Sequence, residues 1–281
     1  MFFRNSLSKH LIRFLTRDVD KPRKLALSDY QSLSRAVLTC DVLLVEGRSR
    51  TARVISYITR SIWTHAALYI GKLNELAPQL QHTLLQFNPH LEHEHIIIES
   101  ILGEGVVVKN LNEYTHEHVR ICRPKGISKA QVITVFNYAI ANLGKPYDHR
   151  QVFDLARFLF PWMILPRKWR SSIFQHNAKG HAKMTCSLLL AEAFIQARFP
   201  ILPTIEKKSS GNYFEAIVRN PRLFVPCDFD YSPFFDIVKY PMVKIEGNSD
   251  ELFLWNNEVM SNDDEGLTEI SSSNEVKHSS G

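Results

Sequence analysis

Cysteine is scarce in this sequence, and its spacing excludes a disulfide scaffold. The 281 residues include four cysteines, none of them in a CxxC pair or at the spacing of zinc ligands. A chain of this length, with 44% hydrophobic and 22% charged residues, can bury a core without covalent or metal cross-links. We therefore expect a reducing compartment and predict no metal and no cofactor.

Long apolar runs and nucleotide-binding fingerprints are missing as well. No stretch approaches the roughly 18 apolar residues that a transmembrane helix needs. Charges recur every few positions near the N-terminus and interrupt any signal-peptide core, which favours a cytoplasmic location. No P-loop or dinucleotide fingerprint occurs, and no motif of nucleic-acid recognition accompanies the basic residues, so nucleic acid is not an expected partner.

Charge is distributed unevenly along the chain. Residues 1–60 contain twelve Lys/Arg and five Asp/Glu, a balance of +7, whereas residues 246–281 contain nine acids and one lysine, a balance of −8. We predict a basic helical extension over 1–36, a main domain over 37–245 and an acidic, disordered tail over 246–281. The first 17 residues suit an amphipathic helix packed on the domain, a membrane-surface anchor or a mitochondrial presequence, in that order of preference.

The apolar pattern mixes strand and helix periods, which is typical of an α+β fold. Apolar and β-branched runs predict strands at 41–46, 62–70, 95–101, 106–109 and 119–123. Helical spacing predicts helices at 49–61, 128–144, 149–160 and 186–198. Residues 72–94 are expected to form a loop or hairpin, with a strand near 84–87.

The thiol of Cys186 lies at the predicted start of an apolar helix, with Thr185 as a candidate N-cap. The positive end of the helix dipole favours thiolate, which is the nucleophilic form of cysteine. Backbone N–H groups at such a start could also form an oxyanion hole. The competing interpretation is a buried core cysteine, which is the commonest fate of an unpaired thiol.

A histidine and a carboxylate upstream are candidate partners for this thiol. His65 lies on a predicted apolar strand and could act as a general base, although a satisfied core histidine has the same pattern. Glu99 lies among isoleucines on a predicted strand, where an unpaired carboxylate would be costly. We expect it to orient the imidazole; a water-facing edge glutamate is equally compatible, and His95 is the rival third residue.

Two further segments have alternative interpretations. His90, His93 and His95, with neighbouring glutamates, resemble a metal-binding cluster, but no third ligand is fixed by spacing, and a polar loop entering a strand is preferred. Residues 158–170 combine aromatic side chains with basic flanks. They suit either a buried helix–turn or an apolar lid or membrane-facing patch beside the site.

Several blocks of the sequence occur in an order that resembles a known family. They are Asp41-Val42-Leu43-Leu44-Val45, Trp63-Thr64-His65-Ala66-Ala67-Leu68-Tyr69-Ile70-Gly71, Ile98-Glu99-Ser100, Gly105-Val106, Leu111-Asn112-Glu113-Tyr114, Gly144-Lys145-Pro146-Tyr147-Asp148 and Thr185-Cys186-Ser187-Leu188-Leu189. Together they resemble the YiiX/YebB-like family of NlpC-type, circularly permuted papain-like cysteine hydrolases. One departure is Cys40, because the family often has Gly before the Asp of its first strand.

The resemblance implies an α+β papain-like core in which a small antiparallel sheet packs on the helix that carries the cysteine. It implies Cys186 as nucleophile, His65 as base and Glu99 as the residue that orients the imidazole, without cofactor. Four residues are expected to line the substrate pocket: Trp63, Tyr147, Asp148 and Ser187.

These expectations lead to a thiol-dependent hydrolase or acyltransferase acting on an amide or ester. Residues 158–170 and the basic N-terminus favour a lipid-like acyl group and peripheral membrane contact through residues 1–17 and 158–170. Peptide amide cleavage is the nearest alternative. A non-catalytic module that binds lipid or peptide at a membrane surface remains open.

Overall fold

The computed structural model describes residues 10, 12–19, 29–91, 94–147, 185–207, 214–240, 258–261 and 267–269. Its strands are β1 (Val42–Glu46), β2 (His65–Lys72), β3 (His95–Ile101), β4 (Gly105–Asn110), β5 (His118–Pro124), β6 (Thr204–Lys207), β7 (Phe214–Ile217), β8 (Phe235–Val238), β9 (Val259–Ser261) and β10 (Leu267–Glu269). Its numbered α-helices are α1 (Tyr30–Ala36), α2 (Arg50–Thr59), α3 (Pro78–Phe87), α4 (Lys129–Ala141), α5 (Cys186–Gln196) and α6 (Asp228–Tyr231). The fold is α+β, as predicted.

One antiparallel sheet organises the molecule. Its six strands run in the order β4-β3-β2-β1-β5-β8, and every neighbouring pair is antiparallel. Short apolar strands of this kind form because β-branched side chains pack well on a pleated surface. The predicted strands of this sheet are confirmed, with bounds that differ by a few residues.

The two faces of the sheet carry separate apolar clusters. On one face, helix α5 packs on β2 and β3, and α4 packs on α5, and these elements form the larger cluster with Leu44, Leu68 and Ile98. On the other face, Leu33 and Val37 pack over Leu43, Tyr69 and Ile97. Helix α5 is apolar over nearly its whole length because it is buried in the larger cluster. The start of this helix therefore has a fixed position beside the sheet.

The prediction for residues 72–94 is wrong in its main feature. Residues 78–87 form helix α3 instead of a hairpin, and the expected strand at 84–87 is its last turn. Pro78 occupies a first-turn position, where its missing N–H is harmless. Leu80 and Leu84 recur at helical spacing and pack on the larger cluster, which explains why this polar segment is helical.

Residues near the N-terminus pack on the domain where the structure describes them. Residues 12–16 are helical, and Leu15 is fully buried with Leu102 and Tyr147. The carbonyl of Leu15 accepts a hydrogen bond of 3.1 Å from Thr51, and that of Phe14 accepts one from Arg50. Packing on the domain was the preferred interpretation of this segment. The lid or patch predicted at 158–170 and the helix predicted at 149–160 lie outside the described residues.

All four cysteines are free and buried. Cys40 has a φ of 75°, a left-handed conformation that favours glycine. Cys40 therefore adopts the left-handed turn conformation that a glycine at this position would favour. Among the described residues, no helix is both long and apolar enough to cross a bilayer.

Candidate active site

Helix α5 places Cys186 at its first position. Thr185 is the N-cap, as predicted. Its backbone is extended, so the helix begins at the next residue, and its hydroxyl accepts a hydrogen bond of 3.2 Å from the N–H of Leu188. The first intrahelical bond joins the N–H of Leu189 to the carbonyl of Thr185. The N–H groups of Cys186 and Ser187 therefore precede the helical ladder and are available to other acceptors.

The first residue of β2 brings a histidine to this thiol. The His65 imidazole is hydrogen-bonded to Cys186, and the backbone N–H groups of Ala66 and Ser187 also point at the sulfur. The Cys186 residue is 8% exposed, whereas 24% of the His65 side chain is exposed. The pair is thus sheltered but is reached by solvent from the side of the imidazole.

A buried glutamate holds the other side of the imidazole. Strand register places Ala67 opposite Glu99, so that Glu99 and His65 share one face of the sheet on adjacent strands. The two side chains meet with 2.5 Å between Nε2 of His65 and Oε2 of Glu99. Because Nε2 is used in this way, Nδ1 is the nitrogen left for the sulfur.

The glutamate has a second donor, which the sequence analysis did not identify. The hydroxyl of Tyr114 donates to the same Oε2 of Glu99 over 2.5 Å. Tyr114 ends a short 3₁₀ helix (Leu111–Tyr114) that directly follows β4. This segment is one block of the family resemblance, but sequence spacing gives its tyrosine no role, because the partner of Tyr114 is set by strand pairing.

These contacts shift the pKa values of Cys186, His65 and Glu99, and in each case the charged form of the group is favoured. Burial raises the pKa of the Cys186 thiol, but the adjacent His65 and the two backbone N–H groups outweigh burial and lower it below the usual value. Burial lowers the pKa of His65, but the sulfur and Glu99 outweigh burial and raise it. The arrangement therefore favours thiolate and imidazolium together over the neutral pair.

The carboxyl group is balanced in the same way. Burial raises the pKa of Glu99, which is only 3% exposed, but His65, Tyr114 and the nearby Lys109 outweigh burial and lower it.

The other three thiols differ from Cys186. Burial raises the pKa of Cys40 and Cys122 to about 12 and also raises that of Cys227. Cys186 is the one described thiol whose surroundings favour ionisation.

The rival third residue is engaged elsewhere. Nδ1 of His95 is 2.6 Å from the hydroxyl of Tyr69, at the other end of β3 from the thiol. Glu99 lies on a strand with neighbours on both sides, so the alternative of an exposed edge glutamate does not describe it. Within the ranges that the structure describes, no three His, Cys, Asp or Glu side chains are grouped as metal ligands would be.

The expected pocket residues have varied surroundings. Ser187 is buried, and its hydroxyl donates a hydrogen bond of 2.7 Å to the carbonyl of Phe224. Trp63 is buried beside the Arg120 guanidinium. Tyr147 packs near the β3–β4 turn, and Asp148 lies outside the described residues. Their role in a substrate pocket stays a prediction.

Comparison with known proteins relates one part of the chain to a described family. Residues 37–157 match a family described as permuted papain-like amidase enzymes, YaeF/YiiX, C92 family. The match contains His65, Glu99 and Tyr114, whereas Cys186 lies beyond it. A crystal structure of metalloprotein yiiX from Escherichia coli O157:H7 is similar at 15% identity and a TM-score of 0.45, covering 73% of this chain and 98% of that chain. No curated protein is similar enough to count as a match. Residues 37–157, the segment that contains His65 and Glu99, are therefore similar to the YaeF/YiiX family of permuted papain-like amidases.

Proposed function

We propose that this protein is a cysteine-dependent hydrolase or acyltransferase that cleaves an amide or ester bond through a thioester on Cys186. The observation that carries the proposal is the unbroken series of contacts from Cys186 to His65 to Glu99 at the start of helix α5. Because Cys186 lies outside the residues that match the amidase family, its role rests on this geometry.

The proposed reaction starts from the ion pair. The Cys186 thiolate attacks the carbonyl carbon, a C–S bond forms, and the carbonyl π electrons move to oxygen. His65 gives its proton to the departing nitrogen or oxygen as the bond from carbon to that atom breaks, which leaves a thioester and a neutral imidazole. His65 then takes a proton from water or another acceptor, which attacks the thioester and expels the thiolate.

Two features of the site support these steps. The negative charge that develops on the carbonyl oxygen would lie near the start of α5, where the N–H of Cys186 precedes the helical ladder. Glu99 keeps one tautomer and orientation of the imidazole available, because its Oε2 accepts from Nε2. No cofactor takes part in the proposed mechanism.

A basic and aromatic surface on α2, the helix that precedes His65 in the chain, supports substrates presented by a membrane. Arg50, Arg53, Tyr57 and Arg60 recur at helical spacing along α2, and the guanidinium of Arg60 lies 4.8 Å from the ring centroid of Tyr57. Tyr57 is 66% exposed, and residues 50–64 contain no Asp or Glu. Basic and aromatic side chains of this kind suit an anionic lipid surface, and His65 follows directly in the chain.

We therefore extend the proposal to a lipid-like acyl substrate and to peripheral membrane contact through this row, with residues 1–17 and 158–170 as further candidates. Cleavage of a peptide amide is the second candidate, because the matched family is one of amidases. A non-catalytic binding module would keep the surface but would not need an ionised thiol.

A covalent probe tests the reaction. The full chain is incubated with a fluorescent acyloxymethyl ketone, which alkylates activated cysteines, next to Cys186→Ala, His65→Ala and the control Cys227→Ala. Labelling should persist in the control, disappear in Cys186→Ala and slow by at least about tenfold in His65→Ala. Equal labelling of all four proteins would contradict the proposal.

Substrate class is tested with matched esters and anilides of short and long fatty acids, together with a short peptide anilide. A rate that rises with acyl length supports the lipid-like proposal, and a preference for the peptide supports the alternative. Flotation with vesicles containing anionic phospholipid tests membrane contact. Arg53→Glu with Arg60→Glu should abolish flotation, whereas the same exchange at Lys125 and Lys129 should not.

A further inference from the structure

Behind the imidazole, one carboxylate oxygen receives two donors. Oε2 of Glu99 accepts from Nε2 of His65 and from the hydroxyl of Tyr114, each over 2.5 Å. A carboxyl group can rotate about its last side-chain bond, and a single donor does not determine which oxygen faces it. With a second donor fixed in place, the same oxygen remains directed at the imidazole.

We propose that Tyr114 is a positioning residue for this site, which holds Oε2 of Glu99 toward His65 and so maintains the imidazolium beside Cys186. This inference rests on the proposed function, since it assigns Tyr114 a part in the same reaction. Tyr114 acts through Glu99 and needs no contact with the substrate.

The position of Tyr114 is fixed by its surroundings. The 3₁₀ helix that it ends packs on β3, the strand of Glu99, and on α1. Leu111 at the start of that helix is fully buried in the smaller apolar cluster, against which the Tyr114 ring packs. This packing holds the backbone at Tyr114 in place, so its hydroxyl has little freedom to move away from Glu99.

Charge makes the second donor necessary. Burial favours the neutral carboxyl, which would accept poorly from His65, so the ionised form depends on the groups around it. They come from three elements: His65 on β2, Tyr114 on the 3₁₀ helix and Lys109 on β4. Lys109 compensates the charge of Glu99 only in part, because its ammonium also pairs with Glu104 at 3.6 Å and with Glu113 at 3.1 Å.

The hydroxyl is well suited to act as a permanent donor. Burial and the neighbouring Glu99 raise the pKa of Tyr114 well above its usual value. It therefore keeps its proton at every pH at which the site could work, and its hydrogen bond is lost only by substitution.

The same sheet offers a matched control. Tyr69 is a buried tyrosine of the smaller apolar cluster, and its hydroxyl lies 2.6 Å from Nδ1 of a histidine, His95. It lies on β2 together with His65, four residues further along the strand. Tyr69→Phe therefore removes a comparable buried hydroxyl without touching Glu99.

The test follows alkylation of Cys186 by iodoacetamide against pH in the full chain, resolved by peptide mass spectrometry. In Tyr114→Phe the acid limb should move to higher pH, because Glu99 protonates more readily, and the rate at pH 6 should fall about tenfold. Tyr69→Phe should match the wild type, even if both variants lose similar thermal stability.

Adding Glu99→Gln completes the test. In that background Tyr114→Phe should cause no further shift of the acid limb, because the carboxylate on which it acts is gone. The inference is overturned if Tyr114→Phe superimposes on the wild type, or if Tyr69→Phe shifts the limb equally. If wild-type Cys186 itself shows no activated thiolate, the proposed function fails instead, so the two failures are distinguishable.

Discussion

Replacement of Glu99 by glutamine is the most informative single perturbation of the site. The change keeps the shape of the side chain and one acceptor oxygen but removes a charge that is 3% exposed and 2.5 Å from the imidazole. The imidazolium then keeps the Cys186 thiolate as its one adjacent counter-charge, and the neutral thiol–imidazole pair becomes more populated.

The size of the effect follows from the geometry. Two unit charges about 4 Å apart interact by about 4 kcal/mol at an effective dielectric constant of ~20. The quarter of the His65 side chain that is exposed reduces this by solvent screening, so we expect a net loss of about 2 kcal/mol. That loss corresponds to a roughly 30-fold slower reaction of Cys186 with an acyl-type electrophile at pH 7.

The assay compares labelling rates of the wild type, Glu99→Gln and the control Glu192→Gln. Glu192 also accepts a hydrogen bond from a partly buried tyrosine, Tyr138, but it lies six positions further along α5 than the thiol. The control should react at the wild-type rate. If Glu99→Gln reacts within about threefold of the wild type, the carboxylate does not support the imidazole and the reasoning is wrong.

Three further predictions concern the framework of the site. Thr185→Ala removes the N-cap of α5 and should cost about 1 kcal/mol in denaturant unfolding, with slower labelling of Cys186. Arg123→Met removes the two hydrogen bonds of 2.9 and 2.8 Å that the fully buried Asp41 carboxylate accepts from Arg123, and it should cost about 2–4 kcal/mol. Burial raises the pKa of Asp41, so this loss should shrink as pH falls and Asp41 becomes neutral. Gly105 has a φ of 91°, and Gly105→Ala would place Cβ 2.3 Å from the carbonyl oxygen of Lys145. We therefore expect this substitution to lower the free energy of unfolding by about 2 kcal/mol or more in the same assay.

Much of the fold could be predicted because the local pattern was unambiguous. The isoleucines around Glu99 predicted a buried strand, and a carboxylate in such a place predicted a partner. The cap at Thr185 predicted where α5 begins, which is why the location of the thiol at a helix start was correct. The helix at Pro78–Phe87 was missed because its polar residues outnumber the leucines that contact the core.

The pairing of Glu99 with His65 was one of two alternatives that the sequence left open, whereas the strand register behind it and the contact of Tyr114 with Glu99 could not be predicted in this way. Glu99 meets His65 because β2 and β3 pair in one particular register, and Tyr114 reaches Glu99 because the chain folds back after β4. Register is decided by packing over the whole sheet and leaves no signature near either residue. The family resemblance supplied the order of the blocks, but it gave no reason to single out the tyrosine.

The pH dependence of Cys186 alkylation in the wild-type chain tests the central claim most directly. Because the pKa of Cys186 is lowered and those of Cys40, Cys122 and Cys227 are raised, these three thiols serve as internal references in the same sample. We expect the Cys186 peptide alone to react at pH 6, with an apparent pKa below 9.0, the usual value. An apparent pKa at or above that value, unchanged by His65→Ala, would contradict this claim.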